Sequence, residues 1–258
     1  MPASGQNDAN VTSSRALADR IALVTGASRG IGAATALALA RAGAHVIAVA
    51  RSAEALGALE QQIRAAGSAA TLVPLDVSNV DAIAQLAAML SNRYGRLDVF
   101  VGNAGILGPI CPLPQVELAD WREVMTVNVT ANYLFIRGLD TLLRRSDAGR
   151  AVFMTSSIVS LARADSAAYA ASKGALELMV RTYANETVAT PLRVNLFNPG
   201  PIRTRMRANR FPNEDPMALD TPEQVAEKIL ELCLPSFGET GKIYDYRYKK
   251  LLAYRAPA

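Results

Sequence analysis

The chain has 258 residues, half of them hydrophobic and 19% charged, with a net charge of +4. That composition excludes an intrinsically disordered polypeptide and allows one substantial buried core. No apolar run approaches the roughly 18 residues of a membrane-spanning helix. The arginines are scattered, and no basic stripe interleaves with aromatic residues to track a nucleic acid. Cys111 and Cys233 are far apart and His45 is the lone histidine, so no metal or redox spacing is present. A reduced, cytoplasmic setting is expected, with His45 a structural residue.

Residues 1–18 are rich in Ser, Ala and Asn with no apolar leader, and read as a flexible N-terminal tail before a single domain over 19–258. From there short apolar runs alternate with helical periods. Strand 21–24 precedes an Ala/Leu-rich helix over 32–42. Strand 45–50 precedes a helix over 53–66 closed by Gly67, and strand 70–75 a helix over 80–94 ending at Gly95. A fourth strand at 97–101 leads into one long helical stretch over 120–143. Strand 150–155, helix 167–184 and strand 192–197 continue the rhythm. A helix over 222–234 opens on the start signal Asp220-Thr221-Pro222-Glu223, and 243–246 is the last strand. Such alternation predicts an α/β fold, a doubly wound parallel sheet with helices on both faces.

Thr25-Gly26-Ala27-Ser28-Arg29-Gly30-Ile31-Gly32 joins the first strand to the first helix, the setting that a dinucleotide fingerprint requires. Gly26 permits the tight turn, Gly30 lets backbone amides approach a pyrophosphate, and Gly32 allows helix and sheet to pack closely. The helix then turns its unpaired N–H groups and positive dipole end toward the phosphates. A Rossmann-type fold follows.

The spacing Gly-x-x-x-Gly-x-Gly resembles the short-chain dehydrogenase/reductase family, in its branch of about 250 residues, and five further motifs match in order over roughly residues 20–246. Asp76-Val77 after the third strand is similar to the family's adenine contact. Asn103-Ala104-Gly105 after the fourth matches the motif that lies against the cofactor. Asn128, within Val127-Asn128-Val129, matches the catalytic-helix asparagine, and Tyr169-Ala-Ala-Ser-Lys173 the Tyr-x-x-x-Lys signature. In Asn198-Pro199-Gly200-Pro201-Ile202-Arg203-Thr204, the resemblance implies that Pro199, Gly200, Ile202 and Thr204 line the nicotinamide end. Two departures stand out. Gly102 replaces the asparagine that often precedes the Asn-Ala-Gly motif. Tyr244-Asp245-Tyr246-Arg247 replaces an Asp-Gly-Gly near the last strand, which bears on subunit contacts made by the C-terminus.

Tyr169 and Lys173, four residues apart, share one helix face. A phenol titrates near 10, and a neighbouring ammonium favours the phenolate. Tuned this way, Tyr169 could give a proton to a carbonyl oxygen as hydride reaches the carbon, or take it back in reverse. The resemblance adds that Lys173 holds the nicotinamide ribose hydroxyls and that Asn128 anchors a water leading from Lys173 to solvent. It also implies a serine at the end of the fifth strand, thirteen residues before Tyr169, which selects Ser156 with Ser157 as the alternative. Arg203, Arg205, Arg207 and Arg210 fall where the family carries a mobile substrate lid; they are either a solvated charged loop or an attractor for an anionic substrate.

Cofactor choice is readable at the end of the second strand. NAD-specific relatives place an Asp there for the adenosine ribose hydroxyls, whereas this chain has Ala50 followed by Arg51. Arg51, with Arg29 of the glycine loop, could clamp a 2′-phosphate, so NADP is expected over NAD. The sequence thus predicts an NADP(H)-dependent oxidoreductase acting on a carbonyl or secondary alcohol, a homodimer or homotetramer by resemblance. A silent nucleotide sensor on the same fold would be free to lose Ser156, Tyr169 and Lys173. An epimerase of the wider family would need a longer C-terminal substrate region.

Overall fold

The computed structural model describes residues 15–254. Eight strands form one sheet: β1 (Ile21–Thr25), β2 (His45–Ala50), β3 (Ala70–Pro74), β4 (Val99–Gly102), β5 (Arg150–Met154), β6 (Arg193–Asn198), β7 (Lys242–Asp245) and β8 (Lys250–Ala253). Their order is β3-β2-β1-β4-β5-β6-β7-β8. All pairings are parallel except β7 with β8. The chain crosses from one edge to the centre between β3 and β4, so the carboxyl ends of β1 and β4 flank a topological switch point, where doubly wound sheets bind ligands.

Nine α-helices are described: α1 (Gly30–Arg41), α2 (Ala53–Ala65), α3 (Val80–Tyr94), α4 (Leu118–Met125), α5 (Ala131–Arg144), α6 (Ile158–Leu161), α7 (Ala167–Glu186), α8 (Arg205–Arg210) and α9 (Pro222–Cys233). The period of two along each strand divides the core. Val46 and Ala48 of β2 join Leu39 of α1, Leu56 and Ile63 of α2 and Ile229 of α9 on one face. Ile47 and Val49 join Ile83 of α3, Phe135 of α5 and Val180 of α7 on the other. The expected α9 start is realised as a capping box, with Thr221 and Gln224 bonding each other's backbone amides.

Several boundaries differ from the sequence reading. Of the expected tail, residues 1–14 lie outside the described residues, but Leu17 is fully buried and its amide donates to Ala42 O at 2.8 Å. The packed chain therefore begins before residue 18. The expected helix over 120–143 is α4 and α5 joined by a π-helical turn, Thr126–Thr130, in which the Asn132 side chain donates to Asn128 O at 2.9 Å. A side chain bonding within the ladder is one way such a turn is accommodated. The strand expected at 243–246 is β7, and the antiparallel β8 beyond it makes the sheet mixed at that edge. His45 is structural as expected: its Nε2 hydrogen-bonds Thr71 Oγ1 at 2.9 Å and Tyr94 OH at 3.1 Å.

Candidate active site

The glycine loop leaves β1 with Gly26 at φ 66° and Gly30 at φ 57°, backbone that side chains with a Cβ rarely adopt. A Cβ on Gly32 would come within 2.3 Å of Gly26 O and 2.4 Å of Asn103 Nδ2. This position is closed to any larger residue. No side chain caps the amino end of α1, and its first turn holds no acid. Its N–H groups and dipole are thus available to an anion, and Ser28, Arg29 and Ile31 border that end. These features fit a dinucleotide pyrophosphate.

Asn103, Ala104 and Gly105 stand directly across the switch point. The amides of Asn103 and Ala104 each donate to Thr25 Oγ1 at 3.0 Å, and Asn103 Nδ2 donates to Thr25 O at 2.9 Å. Asn103 therefore braces the glycine loop. Gly105 leaves room between two buried groups, since a Cβ there would lie 3.2 Å from Asn128 Oδ1 and 3.7 Å from Lys173 Nζ. Fully buried Asn128 holds the Ile106 backbone at both ends, accepting from its amide at 2.8 Å and donating to its carbonyl at 2.9 Å. It also donates to Ser172 Oγ at 2.9 Å. This ties the π turn to α7 one residue before Lys173.

α7 brings Tyr169 and Lys173 to the carboxyl end of β5. Lys173 is 4% exposed, and its ammonium donates to Met154 O at 2.7 Å. Its Nζ lies 5.8 Å from the Tyr169 ring centre. Ser156, just beyond β5, accepts the Ile158 amide at its Oγ at 3.3 Å; Ser157 opens α6. Burial lifts the Tyr169 phenol above its ordinary value, and the nearby Ser156 hydroxyl opposes this in part. Burial pushes Lys173 down to about 8, against the pull of the Glu177 carboxylate. Desolvation therefore sets the direction of the Tyr169 shift, and the lowering expected from the ammonium is not found.

Elsewhere the sequence motifs take defined places. Asp76 accepts from Ser78 N and Ser78 Oγ, both at 2.9 Å, with Val77 between them, and lies 4.0 Å from Arg51. Arg51 and Arg29 both extend into solvent beside the loop. After β6, Gly200 turns at φ 68° beside Pro199, and Ile202 is buried and bridged to Asp220. Thr204 caps α8, and its methyl would lie 3.5 Å from a Cβ on Gly30. The segment after β6 therefore adjoins the glycine loop.

Three of the four lid arginines have partners within the fold. Arg203 Nε donates to Pro216 O at 2.7 Å. Arg207 forms a two-pronged pair with Glu214, both bonds 2.6 Å, and stacks 3.8 Å above Phe211. Arg210 donates to Ser166 Oγ at 3.2 Å, pinning α8 to the start of α7. Arg205 is exposed. Residues given no role in the sequence reading also belong here: Thr25, and the buried Glu177 with Thr155 and Tyr254 around it.

Residues 20–215 match the family model described as short chain dehydrogenase. Over 233 residues the chain is 43% identical to the uncharacterized oxidoreductase YciK of Escherichia coli K12, covering 89% of this chain and 92% of that one. A short chain dehydrogenase from Shigella flexneri 2a, solved in complex with NADP, superposes with a TM-score of 0.87 at 41% identity, covering 91% of this chain and 99% of that one. One from E. coli CFT073, solved with NADPH, gives the same score, identity and coverage. The chain belongs to the short-chain dehydrogenase/reductase family and is an oxidoreductase. Among the described residues no helix is long and apolar enough to cross a membrane.

Proposed function

We propose that the chain is an NADP(H)-dependent reductase of carbonyl groups, running in reverse as a secondary-alcohol dehydrogenase, with Tyr169 as the proton-transfer group. The observation that carries this reading is the pairing of Tyr169 with the buried Lys173, whose Nζ lies 5.8 Å from the Tyr169 ring centre and donates to Met154 O, at the carboxyl end of the sheet. A bound nicotinamide supplies the hydride. A Tyr169 phenol that burial keeps protonated suits donation to a carbonyl oxygen, with Ser156 orienting that oxygen. Lys173 offers an ammonium to ribose hydroxyls, and Asn128 fixes the backbone beside it. Gly26, Gly30 and Gly32 shape the phosphate cradle, Asp76 and Val77 border the adenine, and Pro199, Gly200, Ile202 and Thr204 flank the nicotinamide end.

Preference for NADP(H) rests on Arg51 and Arg29 and on the absence of an acid at Ala50. The NADP and NADPH bound to the two similar structures support it. Arg205 is the lid cation best placed to meet an anionic substrate. Exposed Leu118, Tyr133 and Leu178 on α4, α5 and α7 support a homodimer, doubled to a tetramer, in the cytoplasm. Light scattering at the monomer mass would refute the assembly. The test of function is a panel of ketones and aldehydes followed by NADPH absorbance, with NADH alongside. Turnover with NADPH is expected, and a panel inert with both cofactors would refute it.

A further inference from the structure

Buried charge in this molecule is sparse, which makes the surroundings of Glu177 informative. Glu177 is 8% exposed and sits one turn beyond Lys173 on α7, facing the sheet rather than solvent. Both carboxylate oxygens are occupied. Thr155 Oγ1 donates to Oε1 at 2.5 Å, and Tyr254 OH donates to Oε2 at 2.7 Å. Thr155 directly precedes Ser156, so the acid ties the serine-bearing end of β5 to the lysine-bearing helix. Tyr254 follows β8 and is held by Arg181, whose guanidinium stacks 3.6 Å from its ring centre. A buried carboxylate is costly unless hydrogen-bonded and matched by an opposite charge. Each oxygen accepts one hydroxyl hydrogen bond, and the buried cation one helical turn away on α7 is Lys173.

We infer that Glu177 is a positioning residue, the internal counter-charge that keeps the Lys173 ammonium charged on Met154 O, with Tyr254 of the C-terminal segment fixing that acid. The proposal rests on the reading of Tyr169 and Lys173 given above. Lys173 has few other ways to stay charged: Tyr169 is its other titratable neighbour, and the Met154 carbonyl supplies one hydrogen bond. Burial already drives Lys173 down to about 8, and the Glu177 carboxylate opposes that fall. Arg181, the charged group next to Tyr254, stacks on its ring and forms no ion pair with Glu177 within 4.0 Å among the described residues.

The chain has only five lysines, so a sample labelled with ¹³C at lysine Cε resolves each titration in the protein without cofactor or substrate. Lys173→Met identifies the resonance by its loss. Glu177→Gln should lower the Lys173 midpoint by about one pH unit or more, the usual effect of losing an opposite charge at this range. Glu177→Asp, which keeps the charge, should leave it within about half of that shift. Glu177→Met, with no amide to satisfy, gives the same comparison if the Gln variant does not fold. A Lys173 midpoint unchanged in the neutral variants, or moved equally by Asp and Gln, would overturn the inference. Since nothing need bind or react, this result is separate from any failure of the carbonyl panel.

Discussion

Thr25 and Asn103 lock the two halves of the sheet together at its switch point. The Thr25 hydroxyl accepts the amides of Asn103 and Ala104 at 3.0 Å, and the Asn103 side chain returns a bond to Thr25 O at 2.9 Å. Thr25 is 1% exposed, so no water can replace its hydroxyl without rearrangement. Thr25→Val keeps the shape but leaves the Ala104 amide without its acceptor, while the Asn103 amide keeps Val101 O at 3.0 Å, a loss of about 1–3 kcal/mol. Urea denaturation should show a stability loss of about 1–3 kcal/mol, accompanied by weaker NADPH binding as the glycine loop loosens. Unchanged stability would show that the hydroxyl is not a structural acceptor.

Arg51 decides between cofactors in this account. Its side chain is 69% exposed and its nearest carboxylate, Asp76, is 4.0 Å away, a spacing at which the guanidinium can be drawn off by a phosphate. Titrating wild type and Arg51→Ala with both cofactors should show NADPH binding weakened about ten-fold, the scale of one charge-assisted contact, with NADH binding nearly unchanged. Equal losses for the two would remove the phosphate contact.

Lys173 makes a signed prediction about pH and stability. Its ammonium titrates at about 8 in the fold, below the ordinary 10.5. Between those values the unfolded chain binds more protons than the folded one, so stability rises with pH. The burial penalty is fully present below about 8 and is relieved toward 10.5. Compared with Lys173→Met, the wild type should therefore gain about 2 kcal/mol of relative stability from pH 8 to pH 10. Chemical denaturation of both proteins across that range checks it, and a flat difference would contradict a depressed Lys173.

What the sequence made legible was whatever local pattern encodes. Strand runs, helix periods, the Thr221 cap and the ordered motifs sufficed for the α/β sheet and for the neighbourhood of Ser156, Tyr169 and Lys173. Features set by distant partners were not legible. Leu17 is one apolar residue in a polar stretch, and only its contact with the end of α1 makes it part of the core. The π turn leaves no mark on the period from Leu118 to Arg144. Four-residue β8 is too short to stand out, yet it carries the chain to Tyr254. Arg207 reads as a lid cation until Glu214 and Phe211 are seen to hold it. The direction of the Tyr169 shift required knowing how much protein surrounds the phenol. Glu177 did leave a trace: an acid four residues beyond a reactive lysine, within an apolar stretch of helix.

The central claim is that Tyr169 transfers the proton, and Tyr169→Phe tests it most directly. The substitution removes one oxygen and leaves the ring packed beside Lys173. NADPH affinity should stay within a few-fold of wild type, while reduction of the best carbonyl substrate falls by about 10²–10⁴-fold, the usual contribution of a general acid. Measuring both on the same preparation separates chemistry from binding. Retained NADPH binding with lost turnover is the predicted result. More than about a tenth of wild-type turnover in the variant would contradict the account, because the proton would then be coming from elsewhere.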